Sequence, residues 1–478
     1  MEINRRTKPQ DIVDCVRVQF TERIDYQVAL RVRNALSQDS LFEHRSSFEQ
    51  LPAYIRALQQ SNPTVYTHLH THENRFLRVF ICPYPSRSSF PFCRKFIALD
   101  GTFLKGRFIQ TMLLATTLDA NHNILLLAWA VVESENTESW RYFLQHLFAA
   151  IPEILTQQPP TTIISDRDKG LNTAVSCYEP NIIPALCCFH LRENFTTKFG
   201  RGLTGVFWRI ARAVDQYTYH LELQQLRGYN HAAADYLCEI PSTLWVAAYF
   251  PGKRYGQDTS NIVERINATF KLEREYAVID LLNAVWHKTM TTRYDRQHQI
   301  SKHKPAFTEF AIKELNNRQP DARLHRIELG SVSEGRVTEG RQLRIQHFVD
   351  LLRGTCTCRI YQELGIPCEH ALGCILQLGQ NPQHYLPMDL STETWKNTYS
   401  DNLHPVVFTL KDEPASELPE IQAPLTRVPR GRPRKERIRK GAKGTKGTPA
   451  IQSNQHPQTC STCHQPGHNA RTCKVPHT

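Results

Sequence analysis

The chain has 478 residues, enough for two to four domains and at least one large apolar core. Its formal net charge is +12, and the stretch from Arg427 to Lys446 holds ten Lys/Arg against one Glu, a net of +9. The basic character therefore belongs mainly to a tail, where an anionic partner is expected. The start MEINRRTKPQ is polar and no run of 18 apolar residues occurs, so neither a signal peptide nor a membrane partner is expected. Fourteen Cys, several beside His, in a large chain favour zinc ligation in a reducing compartment over a disulfide scaffold.

The N-terminal region 1–60 reads as helical from about residue 8, with apolar positions Ile12, Val13, Val16 and Val18, then Val28, Leu30, Val32 and Leu36. A small helical bundle and a helix-turn-helix-like DNA-binding lead-in both fit. Asn62-Pro63 stops the helices, and 61–94 reads as a β-hairpin lead-in that pairs Thr64–Leu69 with Phe76–Cys82 around His72-Glu73-Asn74. His68, His70 and His72 share one face of an exposed strand, which is the preferred reading over a metal site. Three strands follow, Phe96–Leu99, Phe108–Leu118 and Ile124–Val132, and then a helix, Glu138–Ile151, with Trp140, Phe143, Leu144, Leu147 and Phe148 on one face. A fourth strand, Thr161–Ser165, leads into Asp166-Arg167-Asp168-Lys169-Gly170, a short helix and a fifth strand near Ile182–Cys188. Antiparallel strands, a helix, then parallel strands alternating with helices is the order of an α/β, RNase H-like core. Residues 203–250 read as a helical insertion into it, and another helix starts near Thr259-Ser260-Asn261. Residues 386–455 are rich in Pro, Lys and Arg and are expected to form a disordered linker. No internal repeat is present.

The apolar run Phe96-Ile97-Ala98-Leu99 ends on Asp100-Gly101, a dipeptide that signals a turn. Asp166 ends the fourth strand, and in an RNase H-like sheet these two strands are neighbours. Phosphoryl transfer on DNA by such a core uses divalent cations about 4 Å apart, Mg²⁺ or Mn²⁺, held by a few clustered carboxylates. A third acid must come from a later helix, and Glu264 in DTSNIVERINATF lies off that helix's apolar stripe of Ile262, Val263, Ile266 and Phe270. Each acid has a plainer role available: Asp100 in a hairpin turn, Asp166 in a loop beside Asp168, and Glu264 as the capping-box partner of an Asn261 N-cap.

The segments IALDGTFLKG, TESWRYFLQHL, IISDRDKGL, ALCCFHLRENF and TSNIVERINATF, in this order, resemble the Mutator-like element (MULE) transposase domain. The likeness spans about residues 95–290 and implies a DDE catalytic triad on an RNase H-like domain, here 95–300, interrupted by the helical insertion at about 203–250. By that resemblance Asp100, Asp166 and Glu264 take the triad positions. Cys187-x-x-His190 falls on the family's C(2)H motif, which implies structural support or shaping of the active site rather than a separate zinc.

CTCRIYQELGIPCEH supplies Cys356, Cys358, Cys368 and His370, three thiols and an imidazole that make a complete tetrahedral zinc shell. The CxC…CxH pattern resembles the SWIM zinc finger, placed at 346–385; Cys374 is nearby but not needed. At 456–478, CSTCHQPGHNARTC has the spacing of a CCHC zinc knuckle with Cys460, Cys463, His468 and Cys473 as ligands and Gly467 for the turn. Two structural zinc sites are therefore expected. Knuckles bind single-stranded nucleic acid, but this one lacks an evident stacking aromatic, so protein is the alternative partner. Between the two, Arg430-Gly431-Arg432-Pro433-Arg434-Lys435 is similar to an AT-hook core, whose Arg side chains enter a narrow minor groove. The same run reads as a nuclear localisation signal.

Together these features predict a DNA transposase of the nucleus that cleaves and joins DNA ends. Its expected partners are double-stranded DNA, terminal inverted repeats included, and further copies of itself. The alternative is a domesticated, DNA-binding transcription regulator without transposition activity.

Overall fold

In a computed structural model of the chain, residues 9–20, 24–167, 169–340, 345–408 and 419–425 are described. The knuckle ligands and the Arg430–Lys435 run lie outside them, as does Asp168. The fold is mixed α/β. Its centre is a seven-stranded sheet of β1 (Tyr66–His72), β2 (Arg75–Cys82), β3 (Phe96–Phe103), β4 (Thr111–Leu118), β5 (Ile124–Val132), β6 (Thr161–Ser165) and β7 (Ile182–Leu186). The spatial order is β1-β2-β5-β4-β3-β6-β7, antiparallel from β1 to β3 and parallel across β3, β6 and β7. The hairpin expected as a lead-in is thus an extension of the central sheet.

The central strands are apolar on both faces because helices cover both. Alternation along β3 sends Ile97 and Leu99 to one side, against Trp140, Phe143 and Leu147 of the Thr137–Ala150 helix. Phe96 and Ala98 face the other side, against Val263 of the Asn261–Thr269 helix and Leu282, Val285 and Trp286 of the Val278–Lys302 helix. Phe48, Leu51, Tyr54 and Leu58 join this second core, so the end of the helical lead-in is built into the body of the protein. Between β7 and the Asn261–Thr269 helix runs a helical segment with its own core around Phe207 and Trp245, whose rings stack at 5.6 Å.

Two expectations are corrected here. Asp100-Gly101 is no turn: β3 runs on to Phe103, with Asp100 opposite Leu114 and Gly101 opposite Leu113. Gly101 serves space instead, since a Cβ there would come within 2.7 Å of the Glu135 carboxylate. Nor does a linker begin at 386. Thr392–Thr398 form a helix whose Trp395, fully buried, donates its indole N–H to Asp119 Oδ2 at 2.9 Å, and Tyr399 OH donates to the same oxygen at 2.9 Å. Arg293 adds hydrogen bonds to the carbonyls of Thr398 and Asp401, strapping this segment onto the sheet domain. Few apolar residues mark the stretch, but two large aromatics suffice to dock it.

A second, four-stranded sheet is ordered β11-β10-β9-β8 from Thr355–Cys356 (β11), Gln346–Asp350 (β10), Glu334–Thr338 (β9) and Arg326–Leu329 (β8). It begins before residue 346, the expected start of the finger, and the Glu369–Gln377 helix packs on it. Among the described residues no helix is long and apolar enough to cross a membrane.

Candidate functional site

The acids meet through sheet register. β3 and β6 pair in parallel with Phe96 opposite Thr162 and Ala98 opposite Ile164. Continuing that offset puts Asp100 level with Asp166, the first residue past β6. The Asn261–Thr269 helix packs on β3 and brings Glu264 within electrostatic reach of Asp100. One turn on from Glu264, Asn267 Nδ2 donates to Asp100 Oδ2 at 2.7 Å. Burial pushes the Asp100 carboxyl up to about 7, the His190 charge opposes this, and the like charges of Asp166 and Glu264 add to it. Sequence reasoning missed Asn267; its signal is a polar residue three positions after Glu264, hence on the same helix face. The helix begins differently from expectation: Ser260 is the N-cap and its side chain makes no capping bond, while Asn261 is the first helical residue. Glu264 Oε1 is buried and has no hydrogen-bond partner.

Cys187 and His190 join this cluster. Cys187 N–H donates to Ser165 O at 2.7 Å, fixing the end of β7 beside the end of β6, and Ser260 N–H donates to Cys187 Sγ at 3.1 Å. The sulfur therefore ties the start of the Glu264 helix to the sheet. Burial alone raises the Cys187 thiol, but hydrogen bonds from His190 and Ser260 outweigh it and the net shift is downward. His190 is pushed up to about 9, first by its hydrogen bond with Cys187, against burial, and then by the charges of Cys187, Asp166 and Asp100. Its Nε2 lies 3.5 Å from Glu264 Oε1. The His190 imidazole thus sits beside the acids.

The second centre is compact and closed. Cys356, Cys358, Cys368 and His370 are all buried, with ligand atoms within 4.8 Å of one another. Cys356 Sγ and Cys368 Sγ lie 3.8 and 3.9 Å from His370 Nδ1. These lengths suit the edges of a tetrahedron with metal bonds of roughly 2.0–2.3 Å, so the donor set fits zinc. Cys368 is the N-cap of the Glu369–Gln377 helix and accepts from Ala371 N–H at 3.4 Å. His370 Nε2 points the other way, 3.6 Å from Glu339, which also meets His347 at 3.2 Å. Among the described residues every set of three or more His, Cys, Asp or Glu ligand atoms this close is centred on His370 or its three thiol neighbours. Asp100, Asp166 and Glu264 are not among these sets. His68 instead stacks on His146 at 4.0 Å and meets the Tyr142 hydroxyl through Nδ1 at 3.1 Å.

Two known family models match parts of the chain. Residues 96–194 match the family model of the MULE transposase domain, a span that holds Asp100, Asp166, Cys187 and His190 but stops before Glu264. Residues 347–379 match the SWIM zinc finger and hold its four donors. The chain carries a MULE transposase domain followed by a SWIM zinc finger. It is similar to the protein FAR-RED IMPAIRED RESPONSE 1 of Arabidopsis thaliana, at 26% identity over 149 residues. That likeness covers 30% of this chain and 17% of the relative's length.

Proposed function

We propose that the protein is a divalent-metal-dependent DNA transposase whose acid cluster of Asp100, Asp166 and Glu264 sits on an RNase H-like core with a helical insertion. The observation that carries this reading is the convergence of three carboxylates from β3, the end of β6 and a distant helix, with Asp100 raised to about 7 by burial and its neighbours. Structural acids are normally placed where their charge is solvated or paired; grouping three around a buried strand end is unfavourable unless a cation joins them. The residues fit Mg²⁺ or Mn²⁺, being hard oxygen donors with one buried carboxylate oxygen, Glu264 Oε1, without a hydrogen bond. When bound, such cations activate an attacking oxygen and stabilise a leaving one. Asn267 holds one oxygen of Asp100. His190 lies beside Glu264, and Cys187 holds the start of the helix. The reaction is hydrolysis of a DNA strand at the element's end, then attack of the freed 3′-hydroxyl on target DNA. Zinc at Cys356, Cys358, Cys368 and His370 holds the finger together. The tail and the knuckle would contribute DNA contacts, nuclear targeting and a second zinc.

The second reading, a DNA-binding regulator that no longer transposes, is favoured by one finding: the curated relative is named for a far-red response and not for transposition. Strand cleavage and transfer with Mg²⁺ or Mn²⁺ on DNA carrying the cognate terminal repeats separates the two. Wild type is expected to cut and Asp100→Asn to bind without cutting. Binding by both with cutting by neither rejects the transposase.

A further inference from the structure

A short clasp joins the finger to the acid cluster. Cys358 is followed by Arg359, a non-glycine residue at φ 64°, whose N–H donates to Cys356 O at 2.9 Å. A left-handed conformation at such a residue persists where its surroundings over-determine it. Here Arg359 Nη1 donates to Ala248 O at 2.6 Å, outside the finger. One turn further on, Glu363 places Oε1 against the Arg254-Tyr255-Gly256 backbone, accepting from Arg254 N–H at 2.8 Å and Gly256 N–H at 3.5 Å. Tyr255 and Gly256 both have positive φ, 53° and 76°. Neighbouring N–H groups in such a turn form an anion-binding concavity. Its occupant is a carboxylate of the finger. A Cβ on Gly256 would lie 3.2 Å from Leu364 Cδ2, so the finger's Ile360–Leu364 helix also packs on the turn.

The same turn leads into the acid site on both sides. Arg94, two residues before β3, lies with its guanidinium 5.0 Å from the centre of the Tyr255 ring. Downstream, Asp258 O accepts from Cys188 N–H at 2.8 Å, and Ser260, whose N–H donates to Cys187 Sγ, occupies the N-cap position of the helix that carries Glu264. The gripped turn thus lies between the strand bearing Asp100 and the helix bearing Glu264.

The geometry points to Glu363 as a positioning residue: through its carboxylate in the 254–256 turn, the zinc finger holds the Glu264 helix in place against Asp100 and Asp166. Its catalytic consequence rests on the function proposed above, whereas the coupling itself is measurable without cleavage. The test is hydrogen exchange over residues 250–264 in the full chain, for wild type, Glu363→Ala, Glu363→Gln, and wild type stripped of zinc with a chelator. Glu363→Ala is expected to exchange about tenfold faster there, the effect of losing charge-assisted hydrogen bonds, while keeping its zinc and its DNA affinity. Glu363→Gln, whose amide oxygen still accepts, should recover protection towards wild type, and zinc removal should mimic Glu363→Ala. Cleavage by Glu363→Ala is expected to fall about tenfold in kcat with KM for DNA unchanged. Unchanged exchange over 250–264 in Glu363→Ala overturns the coupling. Should that variant not fold, unchanged exchange there on zinc removal overturns it equally. A wild type that never cuts, yet shows the exchange changes, rejects the triad chemistry and upholds the coupling.

Discussion

The two centres of this protein are assembled in opposite ways. The finger draws its four donors from residues 356–370, and a two-residue strand, a tight turn and a helix N-cap bring them together. The acid cluster draws on residues as far apart as Asp100 and Glu264 and depends on β3 and β6 pairing in one register and on a helix packed over β3. The first site is closed, buried and thiol-rich, which suits a cation held for stability. The second is partly exposed at His190 and Glu264, as the proposed phosphoryl transfer would require. Local construction makes a centre robust to distant change; non-local construction makes it depend on every element that sets its register.

The comparison can be broken at several points, beginning where the effect should be greatest. Cys358→Ser should abolish zinc binding at the finger, a loss on the order of 10 kcal/mol of metal-coupled folding energy. Metal analysis should show one zinc fewer per chain, and exchange should quicken throughout β9, β10 and the Glu369–Gln377 helix. A finger that keeps its metal would refute the assigned ligands. Next, Asp166→Asn should lower strand cleavage by at least about a thousandfold, on the order of 4 kcal/mol in barrier, while leaving zinc content unchanged. Single-turnover assays would reveal it, and near-normal cleavage would remove Asp166 from the chemistry.

Trp395→Ala should cost about 3–5 kcal/mol, from the cavity and from the lost indole bond to buried Asp119. Urea titration measures this, and a loss below about 1 kcal/mol would mean the strap is not part of the fold. For Asp100 the sign follows from its raised value. A carboxyl at about 7 in the folded state and 3.8 otherwise keeps its proton better when folded, so its contribution weakens stability as pH rises from about 4 to 7. In metal-free buffer at pH 8, Asp100→Asn should therefore be the more stable chain, by roughly 4 kcal/mol. The advantage should vanish as pH falls below about 4, and a pH-independent difference in Tm would contradict the burial argument. The smallest effect belongs to Gly101→Ala. It forces the Glu135 carboxylate aside and should cost about 1 kcal/mol, with a proportionate fall in cleavage.

Much of this was legible in the sequence because it is encoded locally. The CxC…CxH spacing alone names the four donors of the finger, since fifteen residues cannot place them far apart. The apolar runs that become β3, β4 and β5, and the stripe of Trp140, Phe143 and Leu147, follow from periodicity. Even the choice of Glu264 has a local cue, an acid off the apolar face of its helix. What local pattern could not reveal is where continuous strands pass through turn-like dipeptides, as β3 does at Asp100-Gly101. Gly101 is there for the side chain of Glu135, contributed from beyond β5. Trp395 and Tyr399 likewise look like stray aromatics in a polar stretch until Asp119 gives them a buried acceptor.

The sequence by itself determined the inventory: which donors are soft and which hard, which strands are buried on both faces, and where the zinc module lies. The tertiary structure decided the couplings. Sheet register set Asp100 level with Asp166, Asn267 and His190 settled around the acids, and Glu363 of the finger entered a turn more than a hundred residues earlier in the chain. The physical reason is range. Backbone periodicity and ligand spacing act over a few residues, whereas register and the burial of charge depend on which distant segments share one core.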